Sequence, residues 1–165
     1  MKKSFLITKE NANYILGFVE GEGSFNTSVK VREDYKYGVK ISLSFNISQK
    51  DLKVLEWIQT ILKTGSIRAR GDGVYYYEVN DVESLTSIII PLFCKYKFKT
   101  IHKQNSFKNF CEILQMVNAK KHLSKQGIVE IYKKRAELIV SRRRKYSLKN
   151  IEYILEKSSE TIRQT

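Results

Sequence analysis

A chain of 165 residues with 42% hydrophobic side chains, 8 Phe, 10 Tyr and a single Pro is long enough for one compact core and excludes a disordered basic tail. Its formal charge of +13 points to a polyanionic partner, nucleic acid first, because each cation set on a phosphate releases condensed counterions; a merely solvated lysine-rich surface is the alternative. The excess sits late in the chain, where residues 95–165 carry 18 basic against 6 acidic side chains while residues 1–94 carry 12 against 11.

The first periodic segment follows Thr8, a helix N-cap residue type, and sets Tyr14, Ile15, Phe18 and Val19 at helical spacing until Gly21 and Gly23 end it near Glu22. Two alternating runs come next. In residues 24–32, Phe25, Thr27, Val29 and Val31 face inward and Ser24, Asn26, Ser28, Lys30 and Arg32 outward. In residues 40–48, Ile41, Leu43, Phe45 and Ile47 face inward and Lys40, Ser42, Ser44, Asn46 and Ser48 outward, and the polar stretch between the runs makes them a hairpin. Asp51 caps a helix to about residue 63, with a stripe of Leu52, Leu55, Trp57, Ile58, Ile61 and Leu62, and Gly65 suits its exit.

A second hairpin turns at Gly71-Asp72-Gly73. Its first strand puts Ile67 and Ala69 opposite in direction to Arg68 and Arg70; its second buries Tyr75, Tyr77 and Val79 and turns Tyr76 and Glu78 outward. A helix over 82–93 follows, then a basic segment, 95–103, leading into a helix that ends near Val117. Ser124 caps a helix to about residue 140, and Ser147 one to about residue 157.

The order predicts an α+β fold in which one antiparallel sheet rests on helices and offers its other side to a ligand. Short hydrogen-bonding groups and cations on that outer side suit base edges and phosphates, whereas an ordinary solvated face would carry more Asp and Glu. A single domain over residues 1–165 is expected, with a core of about 8–118 and a helical extension of about 119–165. Cys94 and Cys111 form no CxxC pair and no close cluster with His102 or His122, which argues against a structural zinc. Residues 88–93, the longest strongly apolar run, fall far short of a bilayer span, and no signal-peptide pattern opens the chain; a soluble, intracellular protein without membrane contact is expected. The run Arg142-Arg143-Arg144-Lys145 either grips flanking phosphates or is solvated.

Residues 14–25, YILGFVEGEGSF, are the sharpest segment. Gly17 and Gly21 share a helical face from which side chains are missing, so Tyr14, Gly17, Phe18 and Gly21 form a contact face for a partner helix. Glu22 stands at the helix C-terminus, where the peptide dipoles disfavour a carboxylate and a cation would resolve the conflict. Two such acids brought together would share a divalent ion; a glycine-rich turn with a solvated glutamate is the bland alternative.

This segment resembles the LAGLIDADG motif of homing endonucleases, in a form ending GEGSF, and the element order resembles that family over most of the chain. Further matching stretches are Ser48-Gln49-Lys50-Asp51, Gly65-Ser66-Ile67, Ile90-Pro91-Leu92-Phe93 and His122-Leu123-Ser124-Lys125-Gln126-Gly127. The later ones look most like members from organellar introns. The resemblance implies an αββαββα core with a saddle-shaped antiparallel sheet and added C-terminal helices.

It also implies a metal-dependent phosphodiesterase that makes staggered cuts in double-stranded DNA across the minor groove. Glu22 and the Gly21 carbonyl would hold divalent ions, Mg2+ foremost with Mn2+ or Ca2+ able to occupy the site, while Glu20 would be structural. Gln49 matches an outer active-site position, Lys103 the organising lysine with Lys99 as its alternative, and Lys53 a second basic position. The chain departs from the best-known pattern in having Glu at position 22 in place of Asp, and one extra residue between Tyr96 and Lys103. One motif copy implies a homodimer on a long pseudo-palindromic site.

The DNA-binding residues would be Ser24, Asn26, Ser28, Lys30, Arg32, Lys40, Ser42, Ser44, Asn46, Ser48, Arg68, Arg70, Tyr76 and Glu78. The alternatives are an RNA-binding maturase acting on its own intron, or a non-catalytic DNA-binding regulator. The Lys, Ile and Asn bias suggests an AT-rich genome such as that of a mitochondrion or chloroplast, with a prokaryotic or archaeal cytoplasm also open.

Overall fold

The computed structural model describes residues 7–137 and 146–161, without the side chains of the last three. The basic run Arg142-Arg143-Arg144-Lys145 and the end of the helix expected to reach residue 140 lie outside the described residues. The elements are helix α1 (Lys9–Glu22), strands β1 (Gly23–Val31) and β2 (Val39–Gln49), and helix α2 (Leu52–Leu62). Strands β3 (Ser66–Ala69) and β4 (Tyr75–Val79) follow, then helices α3 (Val82–Ser84), α4 (Ile90–Lys95), α5 (Ile101–Asn118), α6 (Lys125–Ala136) and α7 (Leu148–Thr161). The fold is α+β, with one antiparallel four-stranded sheet in the order β1-β2-β4-β3.

Local chemistry sets the helix ends. The Thr8 hydroxyl accepts the Asn11 N–H at 3.2 Å, satisfying one of the four unpaired donors of α1, and an Asp51 carboxylate oxygen takes the Lys53 N–H at 2.9 Å for α2. Lys63 closes α2 in the left-handed region, and Gly65 follows at φ +82°. A Cβ on Gly65 would fall 2.7 Å from the Tyr77 ring, so glycine is required there for space as well as for conformation.

Backbone packing divides the chain into two compact units, one of residues up to 26 with 43–107, the other of residues 27–42 with those from 108 onward. The first unit buries Ile15, Val19, Phe45, Ile47, Leu55, Ile58, Leu62, Tyr77, Val79, Leu85 and Ile89 completely. Each such side chain removed from water contributes roughly 1.5–3 kcal/mol before chain entropy is charged against it. Phe25 centres an aromatic cluster, with Phe45, Phe93, Phe98 and Phe107 rings 5.1 to 5.8 Å away. The Tyr77 hydroxyl donates to the Thr64 carbonyl at 2.9 Å, and burial pushes its pKa up. β2 and β4 pair antiparallel from Phe45 opposite Val79 to Gln49 opposite Tyr75, so inward and outward sets stay in phase.

The second unit is built on Val29, Val39, Ile128, Tyr132, Ile151 and Leu155. Gly127 lets α6 approach the chain before it, since a Cβ there would sit 2.0 Å from the Lys121 carbonyl oxygen. Asn109, buried, donates its amide to the Lys134 carbonyl at 2.8 Å, which satisfies a group that would otherwise be stranded.

Two expectations about helices need correction. The helix expected over 82–93 contains a π-helical turn, Leu85–Ile89, between α3 and α4. Pro91 has no N–H to give the carbonyl four residues back, and a wider turn absorbs the mismatch; the Thr86 and Ser87 hydroxyls bond the carbonyls of Val82 and Glu83 at 2.7 and 2.8 Å. The basic segment thought to reach Lys103 stops earlier, and α5 starts at Ile101, so Lys103 lies in its first turn.

Candidate active site and nucleic-acid interface

The motif folds into the junction of α1 and β1. Gly23 caps α1 with its N–H on the Val19 carbonyl; a Cβ at this residue would meet Val19 Cγ1 at 2.5 Å and Val19 O at 2.8 Å. The chain can turn this tightly only on glycine. Its own carbonyl faces outward enough to accept the Lys103 ammonium at 2.5 Å. Burial pulls the Lys103 pKa below its ordinary value, and the charges of Glu20 and Glu22 oppose that pull.

The two acids of the motif are used differently. Glu20 accepts the Thr100 N–H at 2.5 Å and the Lys99 N–H at 2.9 Å, capping the entry to α5. Those bonds, led by the one from Thr100, hold its carboxyl below the usual range. Glu22, the last residue of α1, is exposed and makes no hydrogen bond or ion pair among the described residues. Of the two candidate lysines, Lys103 puts its ammonium on the motif, whereas Lys99 contributes its backbone and leaves its side chain in solvent. Gln49 ends β2 with its side-chain oxygen accepting the Lys50 N–H at 2.8 Å, and Lys53 lies exposed in the first turn of α2.

The outer face of α1 is open. Around Gly17 and Gly21 an added Cβ would meet nothing within 4 Å, and Tyr14 is 54% exposed. Tyr14 stacks on Phe18 with centroids 6.1 Å apart and meets Trp57 of α2 edge-on at 5.1 Å. Trp57, in the apolar stripe of α2, is half-buried, and its ring extends the aromatic patch of α1, a contact that helical spacing within α2 alone does not reveal.

The outward strand positions follow the period-two pattern with one correction. Asn46, expected at the surface, is only 5% exposed, because it lies on the inner strand β2 beside Glu78, and its amide reaches the Ser44 hydroxyl at 3.4 Å. In the first unit Ser24, Asn26, Arg68 and Arg70 are exposed and Ser44, Ser48, Tyr76 and Glu78 half-buried. Arg68 lies over the Tyr76 ring at 5.6 Å and pairs with Glu78 at 2.6 Å; with Ala69 and Arg70 these residues line an open groove of about 430 Å³. Burial, then the Glu78 charge, raises the Tyr76 pKa against the opposing pull of Arg68 and Arg70. In the second unit Lys30 and Arg32 are exposed and Ser28, Lys40 and Ser42 half-buried, with Lys40 5.4 Å from the Tyr35 ring.

Among the described residues no three His, Cys, Asp or Glu side chains gather as a metal site. The Glu22 carboxylate and the Gly21 carbonyl are hard oxygen donors of the kind Mg2+ and Ca2+ take, but one chain offers too few of them for six-fold coordination. The donor set fits a divalent ion whose remaining ligands come from elsewhere.

Residues 15–114 match the family model described as LAGLIDADG endonuclease. The chain belongs to the LAGLIDADG family. Its similarity includes a Neurospora crassa protein named probable intron-encoded endonuclease 2, 33% identical over 132 residues, covering 78% of this chain and 29% of that protein. DNA endonuclease I-CeuI of Chlamydomonas moewusii is 29% identical over 129 residues, covering 74% of this chain and 59% of that one. The chain thus spans less than two thirds of the length of either relative. Among solved structures, an archaeal intron-encoded homing endonuclease, I-Vdi141I, complexed with DNA, matches with a TM-score of 0.81 and 33% identity over 90% of this chain and 96% of that one. No described helix is long and apolar enough to cross a membrane.

Proposed function

We propose that this chain is a site-specific DNA endonuclease that acts as a homodimer, hydrolysing one phosphodiester in each strand with divalent ions held by Glu22 and the Gly21 carbonyl of each subunit. The observation that carries the reading is the division of labour at the end of α1: Glu20 is consumed by the fold, while Glu22 is left exposed, with no hydrogen bond or ion pair among the described residues, on a helix whose glycine face is open. A carboxylate at a helix C-terminus without a cation is unfavourable, and a second copy packed on Gly17 and Gly21 would bring a second such acid beside it. DNA phosphate oxygens and water then complete the coordination that one chain lacks. Trp57 and Tyr14 would extend the contact between the copies.

When bound, divalent ions supply a water of lowered pKa and positive charge against the pentavalent phosphate and the leaving oxygen. The chain's own groups orient this chemistry. Glu22 fixes position and charge balance; Lys103, anchored on the Gly23 carbonyl, keeps a cation beside the reacting phosphate. Gln49 and Lys53 act on solvent around it, and loss of any one outer group should cost roughly 10- to 100-fold in rate. The outward positions of the strands bind the duplex, with two-fold symmetry setting a pseudo-palindromic target and staggered ends.

The test is a selection of cleaved sequences from a random duplex library with Mg2+, followed by cutting of the winner with and without chelator. Glu22→Gln should reduce cutting to background and retain DNA binding. Unchanged cutting by that variant would reject the assignment of Glu22, and sedimentation as a monomer with and without DNA would reject the dimer.

A further inference from the structure

Three arginines share one condition: Arg68 within β3, Arg70 just past its end and, in the second unit, Arg32 just past the end of β1. Arg32 is bridged to Asp34 by two bonds, Nε to Oδ1 at 2.8 Å and a second guanidinium nitrogen to Oδ2 at 2.9 Å. Arg68 pairs with Glu78 at 2.6 Å, and Arg70 with Asp72 at 3.0 Å. Each carboxylate comes from the same hairpin as its arginine. Lys30 and Lys40 make no ion pair within 4 Å among the described residues, although the Lys40 charge still acts on Asp34.

This pattern separates two kinds of cation. A lysine without an ion pair contributes its full charge to any duplex, since non-specific affinity counts phosphates neutralised and is blind to sequence. A paired arginine contributes little, because its carboxylate has already replaced the counterion and repels the phosphate. Arg68 is the firmest case. Its partner Glu78 has a side chain only 15% exposed, the Tyr76 ring centroid lies 5.6 Å from the guanidinium carbon, and the Asn80 amide donates to the same Glu78 oxygen at 3.4 Å.

We propose that Glu78 is a specificity-determining residue that cages Arg68; the pairs Arg32–Asp34 and Arg70–Asp72, exposed on both partners, are screened by solvent and hold their arginines only weakly. Resting on the DNA-binding reading above, the cage withholds the arginine from phosphates and releases it to a base edge with two aligned acceptors, the O6 and N7 of guanine. The carboxylate gains discrimination by weakening binding to wrong sequences, which is specificity by disfavouring competitors.

The test uses the full chain with chelator present and random-sequence duplex as the probe, comparing wild type, Glu78→Gln, Arg68→Ala, the double variant and Glu56→Gln. Glu56 is exposed on α2, so its variant makes the same change in net charge away from the strands. Glu78→Gln should bind random DNA more tightly, and its advantage should widen by roughly 3-fold between 200 and 50 mM salt, as one freed cation requires. That advantage should vanish in the Arg68→Ala background and exceed that of Glu56→Gln. In sequences selected from a random library, Glu78→Gln should also lose guanine preference at one position per half-site. The cage is refuted if Glu78→Gln behaves like Glu56→Gln, or keeps its effect without Arg68. If Arg68→Ala leaves both random-DNA binding and selected sequences unchanged, the DNA-binding reading of this face fails, and the cage with it.

Discussion

The two sides of α1 differ more than the two sides of an ordinary surface helix. Ala12, Ile15 and Val19 on one side are wholly buried; Tyr14, Gly17 and Gly21 on the other lie open, although only polar groups would normally be expected there. The acids divide in the same way: Glu20 accepts the backbone N–H groups of residues 99 and 100, while Glu22 makes no hydrogen bond or ion pair among the described residues and acts on Lys103 only through its charge. One helix therefore carries two separate sets of demands. The buried side packs within its own chain, and the open side is where the proposed second copy would sit.

Substitutions can break or sharpen that contrast. The largest effect belongs to Glu22→Gln, which should abolish cutting while leaving the melting temperature of the chain nearly unchanged. Ile15→Ala should act on the opposite side: about 2–5 kcal/mol of unfolding free energy lost in a denaturant titration, from lost burial and the cavity left behind. Gly17→Leu should show opposite signs in two measurements. The lone chain should gain up to about 1 kcal/mol of helix stability, because nothing occupies the space, while sedimentation shows the dimer weakened by roughly 10- to 100-fold through overpacking. A Gly17→Leu dimer as tight as wild type would mean the open face is not where the copies meet. Thr8→Ala should cost about 1 kcal/mol of stability with association unaffected, since the cap serves α1 alone.

Much of this was legible in the sequence because it depends on near neighbours. Thr8 at the start of α1, Glu22 at its end, the alternation of β1 and β2 and the Asp51 cap are all short-range patterns, and each appears where it was expected. What was not legible depends on distant or three-dimensional partners. The use of Glu20 depends on N–H groups 79 and 80 residues further along, and only their arrival distinguishes it from Glu22. Asn46 sits on the outer side as its parity requires, yet its neighbours bury it, which parity cannot express. The wide turn before Pro91 was in principle readable, since proline in a helix interior always leaves a carbonyl to be accommodated. The pairing of Arg68 with Glu78 required the register of β3 on β4, which the turn residues alone leave undetermined.

The glycine at position 23 sets where substitutions can be made in this chain. With Val19 pressed against it and Lys103 bonded to its oxygen, Gly23 tolerates no side chain, and any shift of its backbone would move the carbonyl that anchors the lysine. Under the proposed DNA-binding reading, library diversity belongs in the outward strand positions, and Gly23 is kept.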